Sequence, residues 1–493
     1  MNSIEHKQRH KNLTLPWLCG ILAGCMVGPN FSPPVSPKTS SYTLNQPEKT
    51  IKPDLNEKSQ SFVQNGDIPL QWWELFQSKE LNQLIEKGFK NNPTVEAAQA
   101  ALTVAKENFK VKFGETLLPA INAQGSATRE QFSGSSFGAP SSSPSIFNLF
   151  NTAVNVSYTF DLFGGARREL ESLCAQIEYE KFQLEATYLT LSSNIVTTAL
   201  TDAQLRAQIK ATQNLITIQE SLLKIIKGQF HLGASALSNV LSQETLLAQT
   251  RATLPPLEKN LAINHHALAA LIGEIPSESE LPDFYIEKIN LPTELPLSIP
   301  TLLVRHRPDV RASEALLHQA SAQIGVATAN LFPQLSLNGS YGWESNFLNT
   351  LFSPMSNIWN ITGQVLQPVF QGGALLAQRR SAIAAYQQAN AQYRQIVIQA
   401  FQNVADVIRS IEMDAKTLKA QLEAEEAAKK LLILTKNQYE LGAVNYISLL
   451  NAQLQYQTAY LNRIQAQSLR YIDSAALFQA LGGGWWNRGE QCS

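Results

Sequence analysis

Apolar residues along this chain follow two different periods, and the period decides the element. From Leu170 to Phe230 they fall on a three-four ladder: Leu170, Leu173, Ile177, Leu184, Leu191, Leu205, Ile209, Ile216, Leu223, Ile226 and Phe230, with Thr, Asn, Asp or Gln on the missing rungs. Tyr386, Ala389, Tyr393, Ile396, Ala400, Val404, Val407, Ile411, Ala415, Leu418 and Leu422 nearly repeat it. Heptad spacing of this kind predicts helices that supercoil around neighbours. At 1.5 Å per residue, 166–230 makes a rod of roughly 98 Å and 374–441 one of roughly 102 Å, too long for the inside of a compact domain. Shorter returning helices are predicted over 236–254 and 444–481. Pro255-Pro256 is expected to end the first, because proline has no backbone N–H to donate. Four other stretches alternate apolar and polar residues: 120–129, 152–162, 334–343 and 358–369. About ten residues is the length of a tilted strand that crosses a bilayer.

Placed in order, these elements occur twice. Pro93 opens a helical stretch ending at Pro119, and Pro308 opens another ending at Pro333. Each leads to an alternating segment, a polar loop, a second alternating segment and a glycine pair, Gly164-Gly165 or Gly372-Gly373. A long helix then runs to Gly233 or Gly442, with a return helix after it. Such internal duplication defines the domain plan. Residues 71–273 form the first structural repeat, 274–300 a Pro-rich connector, 301–484 the second repeat and 485–493 a tail. Trp72-Trp73 anchor a short helical segment, and 25–70 is Pro- and Ser-rich and reads as extended.

Charge narrows the class. Charged residues make up 16% of the chain, against roughly 25% in an average globular protein. Lys+Arg 39 against Asp+Glu 40 gives a net charge of −1, which argues against nucleic-acid binding through a basic surface. No apolar run approaches the ~18 residues of a spanning helix, so a polytopic helical membrane protein is excluded. Regular apolar spacing excludes disorder.

The N-terminus sets the compartment. Lys7, Arg9 and Lys11 precede an apolar stretch, Leu13 to Ala23, in the order of a secretory signal over 1–24. Leu22-Ala23-Gly24-Cys25 resembles a bacterial lipobox, in which the cysteine is acylated and becomes residue one. Met26 rather than Asp at the next position favours, by that resemblance, sorting to the outer membrane. Cys19 leaves with the signal, so Cys174 and Cys492 remain. An oxidising periplasm would permit a disulfide between them, nothing in the sequence supports one, and they read as structural bystanders.

Four strands cannot close a barrel, and an open edge in lipid leaves backbone groups unpaired. The strands must therefore close with further copies of the chain, eight strands from two copies or twelve from three. A soluble four-stranded sheet is the alternative without a membrane.

Arg307-Pro308-Asp309-Val310-Arg311, Ala322-Gln323-Ile324-Gly325-Val326-Ala327, Leu331-Phe332-Pro333 and Leu335-Ser336-Leu337 resemble the central signature of NodT-type outer-membrane factors. Those are TolC-like lipoproteins of tripartite efflux systems. Leu254-Pro255-Pro256-Leu257-Glu258, Ala480-Leu481-Gly482-Gly483-Gly484-Trp485-Trp486 and Gly24-Cys25 with Val27-Gly28-Pro29 extend the likeness over essentially the whole mature chain. The resemblance implies an α+β membrane protein, mostly α. It would be a homotrimer with a twelve-stranded transmembrane β-barrel and a long periplasmic α-helical barrel. It implies partners as well: a periplasmic adaptor, an inner-membrane RND-type pump and outer-membrane lipid. By analogy, the turns at Gly164, Gly165, Gly372 and Gly373 lie at the barrel–helix junction. Leu232-Gly233-Ala234 and Leu441-Gly442-Ala443 match the family's tip turns, where the adaptor docks. A plain helix cap would also place glycine there. A gate is expected just above the tips, with Lys224, Lys227, Glu425, Glu426, Lys429, Lys430 and Lys436 as charged candidates.

Catalytic chemistry is not legible. The seven histidines form no ligand constellation, and there is no H-E-x-x-H, G-x-S-x-G, P-loop or dinucleotide fingerprint. Ser221-Leu222-Leu223-Lys224 fits S-x-x-K but lies within the helical ladder without partner motifs. No cofactor is expected beyond the lipid on Cys25. The leading reading is a passive outer-membrane exit duct for small molecules. A duct for protein export, or a periplasmic coiled-coil adaptor or spacer, are the alternatives, and the duplicated strand–helix unit argues against the adaptor.

Overall fold

The computed structural model describes residues 26–54, 58–132 and 145–488. In chain order the elements are β1 (Ser61–Gln64), a 3-10 turn (Trp72–Phe76), α1 (Lys79–Asn91), α2 (Pro93–Leu117), β2 (Ala120–Phe132), β3 (Ser145–Phe160), α3 (Gly165–His231) and α4 (Leu237–Leu271). There follow β4 (Glu294–Leu297), α5 (Pro300–His306), α6 (Pro308–Ala329), β5 (Gln334–Ser345), β6 (Asn357–Leu366), α7 (Ala374–Glu440) and α8 (Tyr446–Ala480). The duplication is exact in length where it matters most: α3 and α7 each have 67 residues. The return helices α4 and α8 each have 35.

That equality overturns the expected break at Pro255-Pro256, since both prolines lie inside α4. The carbonyls they leave without donors belong to Arg251 and Ala252, both exposed residues. Near the middle of α3 the buried face extends beyond the ladder, whose Leu191, Leu205 and Ile226 stay buried. Ile195, Val196, Ala199, Leu200 and Ala203 are at most 1% exposed, whereas Asn194, one of the polar rungs, faces solvent.

The chain divides into two compact units. One takes residues up to 33, 102–179 and 313–393; the other takes 34–101, 180–312 and 394–493. The first contains a four-stranded antiparallel sheet in the order β2-β3-β5-β6. Its register sets Val154 opposite Tyr341, and Tyr341 opposite Trp359. The second unit contains α1, α4, α5, α8 and a small parallel pair in which Ser61 faces Glu294. This pair, β1 with β4, joins the segment read from sequence as extended to the Pro-rich connector. The Trp72 side chain is fully buried and stacks on Phe478 at 5.3 Å, so the Trp-Trp anchor is in place. No described helix is long and apolar enough to cross a membrane.

Candidate functional site

Strand alternation sorts the sheet into two faces, and the register aligns the sorting across all four strands. On one face Ile121 pairs with Val156, Val154 with Tyr341, Tyr341 with Trp359, and Leu335 with Val365. Trp359, Ile361 and Val365 are 70%, 71% and 67% exposed, a density of bare apolar surface that water does not favour. On the other face Asn155 pairs with Ser340 and Ser340 with Asn360, while Ser157 pairs with Asn338 and Asn338 with Thr362. Apolar on one side and polar on the other is the pattern of a membrane barrel strand with a wet lumen. Among the described residues, β2 and β6 each leave one backbone edge unpaired within the chain.

The glycine pairs stand where strand becomes helix. Gly164 takes φ 78° between β3 and α3, and Gly372 and Gly373 take 58° and 80° ahead of α7. Positive φ disfavours any residue with a Cβ, which accounts for glycine at these three positions. Gly165 differs. It is the first residue of α3, and a Cβ there would stand 3.0 Å from the Ala329 Cβ.

At the ends of the long helices Gly233 and Gly442 adopt φ 71° and 74°. The Ala234 N–H donates to the Gln229 carbonyl at 2.8 Å, and the Ala443 N–H to that of Gln438 at 2.8 Å. These are helix-terminating Schellman bonds. Beside them Leu232 and Leu441 are 86% and 85% exposed. The two repeats thus present matching turns with bare leucines.

The charged gate candidates are placed mostly within single hairpins. Lys227 pairs with Glu244 at 2.6 Å, joining α3 to α4, and Glu425 pairs with Arg463 at 2.8 Å, joining α7 to α8. Lys430 pairs with Glu426 on the same exposed helix face. Lys224, Lys429 and Lys436 are exposed. What links one hairpin to the other near the tips is uncharged. The Tyr439 hydroxyl donates to Gln229 Oε1 at 3.1 Å, and the Tyr446 hydroxyl donates to Gln243 Oε1. Gln243 is fully buried and its amide donates to the Gln219 carbonyl. Burial pushes the Tyr446 phenol well above its usual range, with Tyr439 adding to it, so the proton of that bond stays in place. Ile226, Val240, Tyr446 and Leu449 pack together beneath these bonds. Sequence reasoning missed this interlock because it searched for charge. A signal was present: Tyr439 and Tyr446 flank Gly442 at the offsets where Phe230 and Leu237 flank Gly233.

Cys25 and Cys492 lie outside the described residues, and Cys174 is exposed. Among the described residues no cluster of His, Cys, Asp or Glu is arranged to hold a metal.

Comparison with known proteins converges on one family. The pattern described as "Outer membrane efflux protein" matches residues 84–274 and 299–483. The pyoverdine export outer membrane protein OpmQ of Pseudomonas aeruginosa is 29% identical over 422 residues, covering 84% of this chain and 87% of that one. Nodulation protein T of Rhizobium leguminosarum bv. trifolii is 25% identical over 454 residues, covering 90% and 91%. Among solved structures, the outer-membrane channel OprN superposes with a TM-score of 0.84 at 24% identity, covering 94% of this chain and all of that one.

Proposed function

The chain belongs to the outer membrane efflux protein family, and from that premise we propose how its parts build a duct. It is an outer-membrane efflux channel with a TolC-like fold, in a family of ducts rather than enzymes. Three copies supply twelve strands, β6 of one chain pairing with β2 of the next, so that no edge remains in lipid. The face carrying Trp359, Ile361 and Val365 meets lipid, and the face carrying Asn155, Ser340 and Asn360 lines the lumen. A wall of neutral amides and hydroxyls lets small molecules pass without holding them. The energy comes from an inner-membrane RND-type pump, reached through a periplasmic adaptor that docks at Leu232-Gly233-Ala234 and Leu441-Gly442-Ala443. The Tyr439–Gln229 and Tyr446–Gln243 bonds hold the hairpins in the closed arrangement, alongside the charged gate candidates Lys224, Lys227, Glu425, Glu426, Lys429 and Lys430. Cys25, acylated after cleavage of 1–24, tethers the mature N-terminus, and no other cofactor is needed. The two structural repeats, 71–273 and 301–484, contribute one hairpin and two strands each.

The observation that carries this reading is the register-aligned split of the sheet into apolar and polar faces with both edges open. Native mass of protein extracted in detergent from outer membranes tests it. A particle of three chains with pore conductance in planar bilayers is expected. A monomer that washes off without detergent overturns it.

A further inference from the structure

Arg168 is a charged side chain 1% exposed in the first turn of α3. A buried guanidinium is costly unless its donors are met. Three of its bonds go to the first residues after Cys25. Nε donates to the Val27 carbonyl at 3.1 Å, and Nη2 to the Gly28 carbonyl at 3.3 Å and to Asn30 Oδ1 at 2.8 Å. Nη1 pairs with Glu171 at 2.6 Å. Glu171 in turn binds His318 Nε2 at 3.0 Å, and the Phe31 ring stacks on His318 at 4.4 Å. The Val27 N–H donates to the Phe163 carbonyl at 3.1 Å, just past the end of β3.

Shape matches the hydrogen bonding. A Cβ on Gly28, where φ is 94°, would stand 2.5 Å from the Gly325 Cα. A Cβ on Gly325 would stand 2.7 Å from Arg168 Cγ, and one on Gly164 would stand 2.6 Å from Met26 Cγ. The segment therefore lies backbone to backbone on α6 and over the β3–α3 turn, at contacts only glycine allows. Three stretches singled out in the sequence, Val27-Gly28-Pro29, Gly164-Gly165 and the one around Gly325, meet at this place.

We propose that Met26–Phe31 is a docking peptide and that Arg168, Glu171, His318, Gly164 and Gly325 form its receptor socket, a second anchor independent of lipid. The socket takes Gly164, Arg168 and Glu171 from the first repeat and His318 and Gly325 from the second. The peptide therefore staples the two repeats together at the foot of β3. Arg168 is the positioning residue: without the peptide its guanidinium keeps only Glu171 among these partners. This rests on the reading that Cys25 is the acylated first residue only in what the peptide carries, not in how it docks.

Chymotrypsin cleavage at Phe31–Ser32 reads the docking directly, because a residue clamped on His318 is cut only after local release. The detergent-extracted full chain should be protected. Gly28→Ala and His318→Ala should each be cut about tenfold faster or more at unchanged native mass. The mass of the released peptide reports separately whether Cys25 is acylated. A chain with Cys25→Ser behind a cleavable signal should keep its protection. If protection followed the acyl chain, or if both socket variants remained as resistant as the parent, the socket would not be an anchor. Should the unacylated chain fail to assemble, the two acylated socket variants decide the matter. An unacylated peptide from the parent chain would overturn the Cys25 reading and leave the socket standing.

Discussion

Glycine marks both the tip turns and the N-terminal socket, but for different physical reasons. At Gly233 and Gly442 a Cβ would meet nothing within 4 Å, so backbone conformation alone demands the residue. At Gly325 φ is ordinary and space is the constraint, since Arg168 occupies the volume a side chain would need. The tips are open surfaces with exposed leucines beside them. The socket is a closed one, filled by the chain's own N-terminus. The lesson is that a glycine motif in sequence does not say whether a turn, a contact or an interface lies behind it.

Substitution separates the two cases. Gly325→Val should cost about 3 kcal/mol, because it overpacks a site whose neighbour is a locked, buried charge. The heat-denaturation midpoint of the extracted protein should fall accordingly, and an unchanged midpoint would show that the site can yield. Gly442→Asp is the contrasting change. Asp tolerates left-handed backbone better than most residues, so stability should hold while cross-linking to the adaptor is lost. If cross-linking and efflux both survived Gly442→Asp, the tip would not be the docking surface.

A smaller effect is expected one turn above the tip. Tyr446→Phe removes the hydroxyl that meets Gln243 and leaves a buried amide oxygen without a donor, at a cost of about 1–2 kcal/mol. If that bond holds the closed arrangement, as proposed, the variant should open more often in planar bilayers than the parent. Equal open probability would show that the interlock bears on folding but not on gating.

Much of this architecture was legible because it rests on period. Heptad and two-residue spacing placed the long helices and the four strands, and the repeated glycines fixed where they turn. What escaped depends on contacts between segments distant in sequence. The β1–β4 pair joins Ser61 to Glu294, and neither stretch alternates clearly. Pro255-Pro256 reads as a stop until the exposure of Arg251 and Ala252 is known. Arg168 has the look of a surface charge at a helix start, and only the fold shows it buried. The residues joining the hairpins near the tips are Tyr and Gln, ordinary fill in a heptad pattern, so little in the sequence singles them out.

Acidity provides a last contrast, with opposite signs in the two compact units. In the socket, burial raises Glu171, but the hydrogen bonds from Arg168 and His318 outweigh it and hold the carboxyl below its usual 4.5. The stability it contributes is present above that value and is lost as pH falls through the depressed one. Between α7 and α8 the balance reverses. Burial, then the charge of Asp473 and the hydrogen bond to it, push Asp414 from 3.8 up to about 7, with Arg470 opposing. Asp473 is also raised by burial, against hydrogen bonds from Asp414 and Ser410. Two carboxyls that hydrogen-bond to each other share one proton, so this contact is strongest below about pH 4 and weakens as pH rises through about 7. Both aspartates are partly solvated, which makes this the smallest of the effects. Hydrogen exchange of α8 around Asp473 should quicken between pH 5 and pH 8, after correction for the intrinsic rate, and Asp414→Asn should flatten that dependence. Over the same range the Phe31–Ser32 bond should keep its protection and lose it only in acid. If the two regions loosened in the same direction, the assignment of opposite proton linkage to them would be wrong.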